Sequence, residues 1–213
     1  MSKGKLKTSI QNNGGFQHWF VNVFWYHYKW PVLVGCVILG IIAFITVDSL
    51  KQTRYDTTVV IATDYFVDED DLRALDDVLK PVVEDLDGNG QVNIYYAVLY
   101  VGDTEVGRQN QERMYLYMTQ QNVGLYLMSK NVSDAYTNPE LEYFTDDVDS
   151  FGLTPDPANA VRMDLTGNSV LQGCGLKDIY LSIMDYTTES GTSEARQGRD
   201  TAVAMAKALV DAG

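Results

Sequence analysis

From Pro31 to Val47 the chain reads PVLVGCVILGIIAFITV, 17 residues without a charge or a side-chain amide. At about 1.5 Å per residue this run makes roughly 26 Å of helix, and with Trp30 it just reaches across a bilayer core. Pro31 suits a first helical turn, where its missing N–H costs nothing, and Asp48 closes the run with a charge. Upstream, Phe16, Trp19, Phe20, Phe24, Trp25, Tyr26, Tyr28 and Trp30 crowd aromatic rings into a short stretch. Amphipathic rings of this kind settle at headgroup depth. The reading is an N-terminal tail with an aromatic interfacial segment (1–30), a transmembrane helix (31–47), a linker (48–56) and one domain (57–213). Trp19, Trp25, Tyr26, Tyr28, Lys29 and Trp30 are the expected membrane-interface residues.

Two other uses of an apolar run fit less well. A cleaved signal peptide needs small residues soon after the run, and Thr46-Val47-Asp48-Ser49-Leu50 supplies a poor site. Leu33-Val34-Gly35-Cys36 has the look of a lipobox, but apolar and small residues continue for eleven positions past Cys36. Cys36 therefore reads as a thiol within the span. The local charge rule does not orient the helix, because Lys29 on one side faces Lys51 and Arg54 on the other.

Charge divides sharply at the end of the span. Residues 1–47 carry no Asp or Glu, four lysines, both histidines and all three tryptophans. The remainder holds all 29 acids against 12 of the 16 bases, a net charge of −17. A domain so acidic cannot neutralise a phosphate backbone, which excludes a nucleic-acid partner. Without histidine it also has no Ser/His or Cys/His nucleophile pair.

The pattern of the large domain is that of an α/β fold. Thr57 to Thr63 is a β-branched run that reads as a buried strand. Asp68 to Asp71 then cap a helix whose stripe is Leu72, Leu75, Val78, Leu79, Val82, Val83 and Leu86, with Pro81 loosening its last turn. Gln91 to Leu99 is a second strand, Glu105 to Gln121 a second helix, Val123 to Met128 a third strand and Ile179 to Met184 a fourth. A helix from about Ser193 ends the chain. Alternation of strand and helix predicts a three-layer α/β domain with a mostly parallel sheet. Ser129 to Asn168, with Pro139, Pro155 and Pro157, is the least regular region.

The box Phe24-Trp25-Tyr26-His27-Tyr28-Lys29-Trp30, placed directly before one span and an acidic α/β domain, resembles a group of uncharacterised single-pass membrane proteins of Gram-positive bacteria over most of residues 20–210. Residues 60–155 are similar in element order to the first lobe of extracellular solute-binding proteins. The first resemblance implies a cell-membrane location with the N-terminus cytoplasmic and the large domain extracellular. The second implies fold but not ligand capture by closure, since the chain is too short for a second lobe.

Candidate chemistry is sparse. Asp85, Asp87, Asn89 and Asn93 occupy positions 1, 3, 5 and 9 of a calcium-type loop, with Gly90 at position 6, but position 12 is Tyr96 instead of a bidentate carboxylate. Calcium is thus the one cofactor the chain suggests. The competing reading is a tight turn in which Asp and Asn bond the backbone and Gly88 and Gly90 take positive φ. Cys174 reads as a small buried residue, and with Cys36 in the membrane no intrachain disulfide is expected. Carboxylates at Asp146, Asp147 and Asp149 or Asp68 to Asp71 read as a solvated face and helix caps. Gly102 to Gly107 lacks a phosphate-binding pattern, and the Asn131-Val132-Ser133 sequon carries no weight without eukaryotic secretion.

The expectation is a membrane-tethered, extracellular, non-enzymatic binding or accessory module with a membrane or cell-surface protein partner. The alternative is a membrane-anchored hydrolase using paired carboxylates, with or without calcium assistance. A deep cleft gathering three or more acids near Asp64, Tyr100 and Ser129, where strands end, would favour the hydrolase. A shallow surface there would favour the module.

Overall fold

The computed structural model describes residues 26–51, 55–86, 88–119, 123–185 and 193–213, with the side chains of 26, 27, 29, 45, 47–51, 139 and 193–195 outside that description. The chain divides into two units, Met1–Thr53 and Arg54–Gly213. In the first, α1 (Tyr26–Lys51) is one 26-residue helix. Pro31 lies inside it, not in its first turn, so one intrahelical hydrogen bond is missing there while its neighbours hold the helix. Leu33, Val34, Val37, Ile38, Leu39, Ile41, Ile42 and Phe44 are all exposed, which at 100° per residue covers every side of the helix. The Thr46 hydroxyl is satisfied internally by donating to the Ile42 carbonyl at 2.8 Å. Among the described residues, no helix is long and apolar enough to cross a membrane. Trp19 and Trp25 lie outside the described residues.

The second unit is an α/β fold on a five-stranded sheet of order β2-β1-β3-β5-β4. Its elements are β1 (Thr57–Thr63), α2 (Arg73–Leu79), β2 (Ile94–Tyr100), α3 (Glu105–Met118), β3 (Val123–Ser129), α4 (Lys130–Tyr136), β4 (Met163–Asp164), α5 (Ser169–Gly173), β5 (Ile179–Ile183) and α6 (Ser193–Ala212). β1 is parallel to both β2 and β3, while β5 runs antiparallel to β3 and to β4. The sheet is therefore mostly parallel, as alternation of strand and helix predicts, with β5 the one reversed strand. The reason is the irregular segment after α4, which places the two-residue strand β4 at the far edge and brings β5 back between it and β3. Nothing in a two-residue strand carries a sequence period, so β4 left no signal.

Every residue of β1 and β3 is buried. Alternate side chains of β1 enter two separate cores. Val59 and Ile61 join Leu75 and Leu79 of α2 and Met205 and Leu209 of α6, and Val60 and Ala62 join Met114 of α3 and Val132 of α4. The chain winds outward from β1 to β2, then back past β1 to β3. Right-handed crossovers in opposite directions put α2 and α3 on opposite faces.

Local chemistry sets the ends of these elements. Asp68 accepts from the Asp70 amide and starts a 3-10 turn (Glu69–Leu72) that leads into α2, and Pro81 converts the last turn to 3-10 (Lys80–Val82). Thr104 caps α3 by accepting from Gly107 at 3.0 Å. A Cβ on Gly107 would stand 1.9 Å from the Gly102 carbonyl oxygen, so only glycine fits. β2 is an edge strand. Asn93 and Val101 direct their backbone bonds to β1, so Ile94, Tyr96, Val98 and Tyr100 direct theirs outward. Asn110 of α3 covers the last of these by donating its Nδ2 to the Tyr100 carbonyl at 3.0 Å.

The irregular segment is held by Arg162, only 4% exposed. Its guanidinium donates to Asp156 at 2.8 Å, to Asp134 and to the Ser133 hydroxyl, and lies 4.2 Å over the Tyr180 ring. One cation thus joins α4, the 156–162 loop and β5. Arg162 holds the Asp134 carboxyl below the ordinary range. Asp156 is held low first by the Ala158 amide and, against its burial, by Arg162. Both carboxyls release their protons more readily folded than unfolded, so this stabilisation is complete above about pH 4 and is lost as pH falls below it. Arg162→Met is expected to cost about 3–5 kcal/mol near neutral pH by stranding Asp156. Urea melts of the variant should also depend less steeply on pH below about 4 than wild type; parallel curves would refute the network.

Candidate functional site

The reversal of winding leaves a gap between the C-terminal ends of β1 and β3, the place where ligands collect in open α/β sheets. Asp64, the first residue past β1, points into it. Ser129, the last residue of β3, clasps it in both directions: its hydroxyl donates to Asp64 Oδ1 at 2.7 Å and accepts from the Asp64 amide at 3.2 Å. From the first turn of α4, Asn131 Nδ2 donates to Asp64 Oδ2 at 2.6 Å. Partial burial pushes the Asp64 carboxyl up, but the Asn131 and Ser129 bonds outweigh it and the group ends below its ordinary value. Asp64 is therefore an anion near neutral pH.

Around this carboxylate lies an open cleft of about 300 Å³ lined by Asp64, Val101, Gln111, Tyr115, Asn131, Val132, Ala135 and Tyr136. Tyr115 and Tyr136 form its aromatic wall, their ring centres 5.6 Å apart at 59°. Tyr136 is buried while Tyr115 is 51% exposed. Burial pushes the Tyr136 phenol up, so it stays neutral. Among the described residues the lining holds one acid, two amides and no base. On the same end of the sheet, Phe66 stacks on Tyr100, the last residue of β2, with centres 4.3 Å apart. Tyr65 anchors the exit from β1 by accepting from the Lys177 amide at 2.6 Å and donating to the Lys177 carbonyl at 2.9 Å.

The calcium-type loop is elsewhere, between α2 and β2, and its described part is a hydrogen-bonded turn. Asp85 Oδ1 accepts from Gly88 at 2.8 Å and Asn89 at 3.3 Å, and Oδ2 accepts from Gly90 at 2.7 Å. Asn89 Oδ1 accepts from Gln91 at 2.7 Å, and Gly88 and Gly90 take φ of 68° and 81°. Asp87 lies outside the described residues. The Asn93 amide donates to Asp56 Oδ2 at 2.8 Å, and the Leu86 amide to Asp56 Oδ1 at the same distance. The buried Asp56 thus ties both ends of the turn to the start of β1. Among the described residues no group of three Asp, Glu, His or Cys is placed to hold a metal ion.

The other acids singled out in the sequence are not among the described residues of the cleft lining. Asp147 and Asp149 flank a 3-10 turn (Val148–Phe151), and Asp68 to Asp71 open the turn before α2. Cys174 is buried, and burial pushes its thiol up, away from the reactive thiolate. The sequence alone puts Asp64, Tyr100 and Ser129 at strand ends. It gives no such sign for Gln111, Tyr115 and Tyr136, because each sits on a helix face that only the tertiary fold turns toward β1. No family model, no curated protein and no solved structure matches the chain.

Asp85→Ala removes the acceptor of three backbone amides and is expected to destabilise the domain by about 1–3 kcal/mol. Urea melts in excess EDTA measure this with no divalent ion present; an unchanged midpoint would deny Asp85 its place in the turn.

Proposed function

We propose that the protein is a membrane-tethered, non-enzymatic binding module, with the acidic α/β domain outside the cell and its binding surface at the Asp64 cleft. The observation that carries this reading is that the cleft is open and holds one carboxylate, fixed by neutral donors. Hydrolysis by paired carboxylates needs two such groups facing one bond with their pKa values driven apart. Among the described residues of the cleft lining Asp64 has no second acid beside it, and it is held ionised, which suits recognition of charge and not proton donation.

Tethering rests on the apolar sequence from Pro31 to Val47 and on the side chains that α1 exposes all round, a surface that is stable only in apolar surroundings. A domain joined to such a helix by a short linker meets membrane and surface proteins at high effective concentration, so weak contacts are enough. Its negative charge favours basic partners.

The test is made on the full chain in intact cells. After breakage without detergent the protein should pellet with membranes, and a thiol introduced by Val106→Cys should react with an impermeant reagent before breakage. A photocrosslinker at position 115 should give a discrete protein adduct that Asp64→Arg abolishes. Recovery in the soluble fraction, a shielded thiol, or an adduct indifferent to charge reversal at Asp64 would each overturn the proposal.

A further inference from the structure

We infer that the Asp64 cleft takes the ammonium group of a lysine side chain, presented by a basic extended polypeptide; this rests on the cleft being the binding surface. The chemistry of the lining selects the ligand. An ionised carboxylate offers about four acceptor sites, and Ser129 and Asn131 occupy two from one side. Asp64 itself is exposed and lines the cleft. Among the described residues no base forms an ion pair with Asp64, and Lys130, which sits between the clasping Ser129 and Asn131, donates instead to Asp134 at 2.9 Å. The charge is fixed in direction by its clasp and left uncompensated, which disfavours an anion and gives a cation its full attraction.

The remaining surfaces fit the stem behind an ammonium. Val101, Val132 and Ala135 offer apolar contact to its methylenes, and the Tyr115 and Tyr136 rings present faces that attract a cation. Two rings at 59° make an incomplete cage, so a quaternary ammonium would be poorly enclosed. A primary ammonium instead keeps N–H groups for Asp64 and for the side-chain oxygen of Gln111. The volume of about 300 Å³ admits one side chain and excludes a folded element.

The surroundings choose the source. Two residues past Asp64, the segment from Phe66 to Asp70 presents a shallow acidic surface, with Phe66 80% exposed. An extended chain with further lysines meets this acidic and aromatic surface as it leaves the cleft. An aminophospholipid headgroup carries its phosphate close to the ammonium and is repelled by the same acids.

The full chain in nanodiscs of neutral lipid, with 3-fluorotyrosine placed at position 115, reports occupancy by its fluorine shift. Three probes are compared: acetyl-Gly-Lys-Gly-amide, the same peptide with acetyl-lysine, and phosphoethanolamine. The lysine peptide should saturate with a midpoint on the order of 1 mM. Asp64→Asn, which keeps the shape and the Ser129 donor, should weaken it at least tenfold. A peptide with lysine at every second position should bind more tightly, and less so as salt is raised. Equal binding of the acetylated peptide, or undiminished binding by Asp64→Asn at an unchanged melting midpoint, would overturn the assignment. A phosphoethanolamine midpoint equal to that of lysine would overturn the polypeptide source. A chain that pellets with membranes and labels from outside, yet shows no lysine-dependent shift, would sink the ammonium site alone and leave the tethered module standing.

Discussion

Full burial of β1 governs the domain. A strand with no exposed side chain must be covered on both faces and paired on both edges, and each requirement fixes something else. Coverage demands helices above and below, met by α2 with α6 on one side and α3 with α4 on the other. Pairing on both edges forces the chain to wind away from β1 and then back across it. Where the winding turns, no helix can sit over the strand ends, and that gap is where Asp64 emerges.

The cleft is thus a by-product of topology, and its chemistry comes from what the neighbouring strand supplies. Ser129 ends β3 and begins α4, and in that position its hydroxyl bridges to β1 instead of capping its own helix. The carboxylate is immobilised without being neutralised. Elsewhere carboxylates serve the architecture: Asp134 and Asp156 meet a buried guanidinium, and Asp56 and Asp85 accept from backbone amides. Asp64, in contrast, faces outward into the cleft.

Legibility followed the length scale of each interaction. The strands at 57–63 and 123–129, and the Asp68 cap, were readable because period and capping are local. The turn at 85–91 was readable as two alternatives, and the described Asp85 bonds are those of the turn. β5's direction was not, since strand polarity depends on how the 137–162 segment returns, and that is decided by Arg162 reaching three elements at once. Nor was the aromatic wall, because Tyr115 and Tyr136 belong to different helices and meet only after both dock on the sheet.

The outward-facing backbone of β2 bears on how copies of this domain behave when crowded. Its sequence, IYYAVLY, has no charged residue or proline to deter a neighbouring strand, and one carbonyl is shielded by Asn110. Protection falls to long-range repulsion between domains of net charge −17, which acts over about a Debye length of 8 Å at physiological ionic strength. Colloidal spacing here is a property of the whole surface, and the salt of the medium, more than any single side chain, sets how close two such edges come.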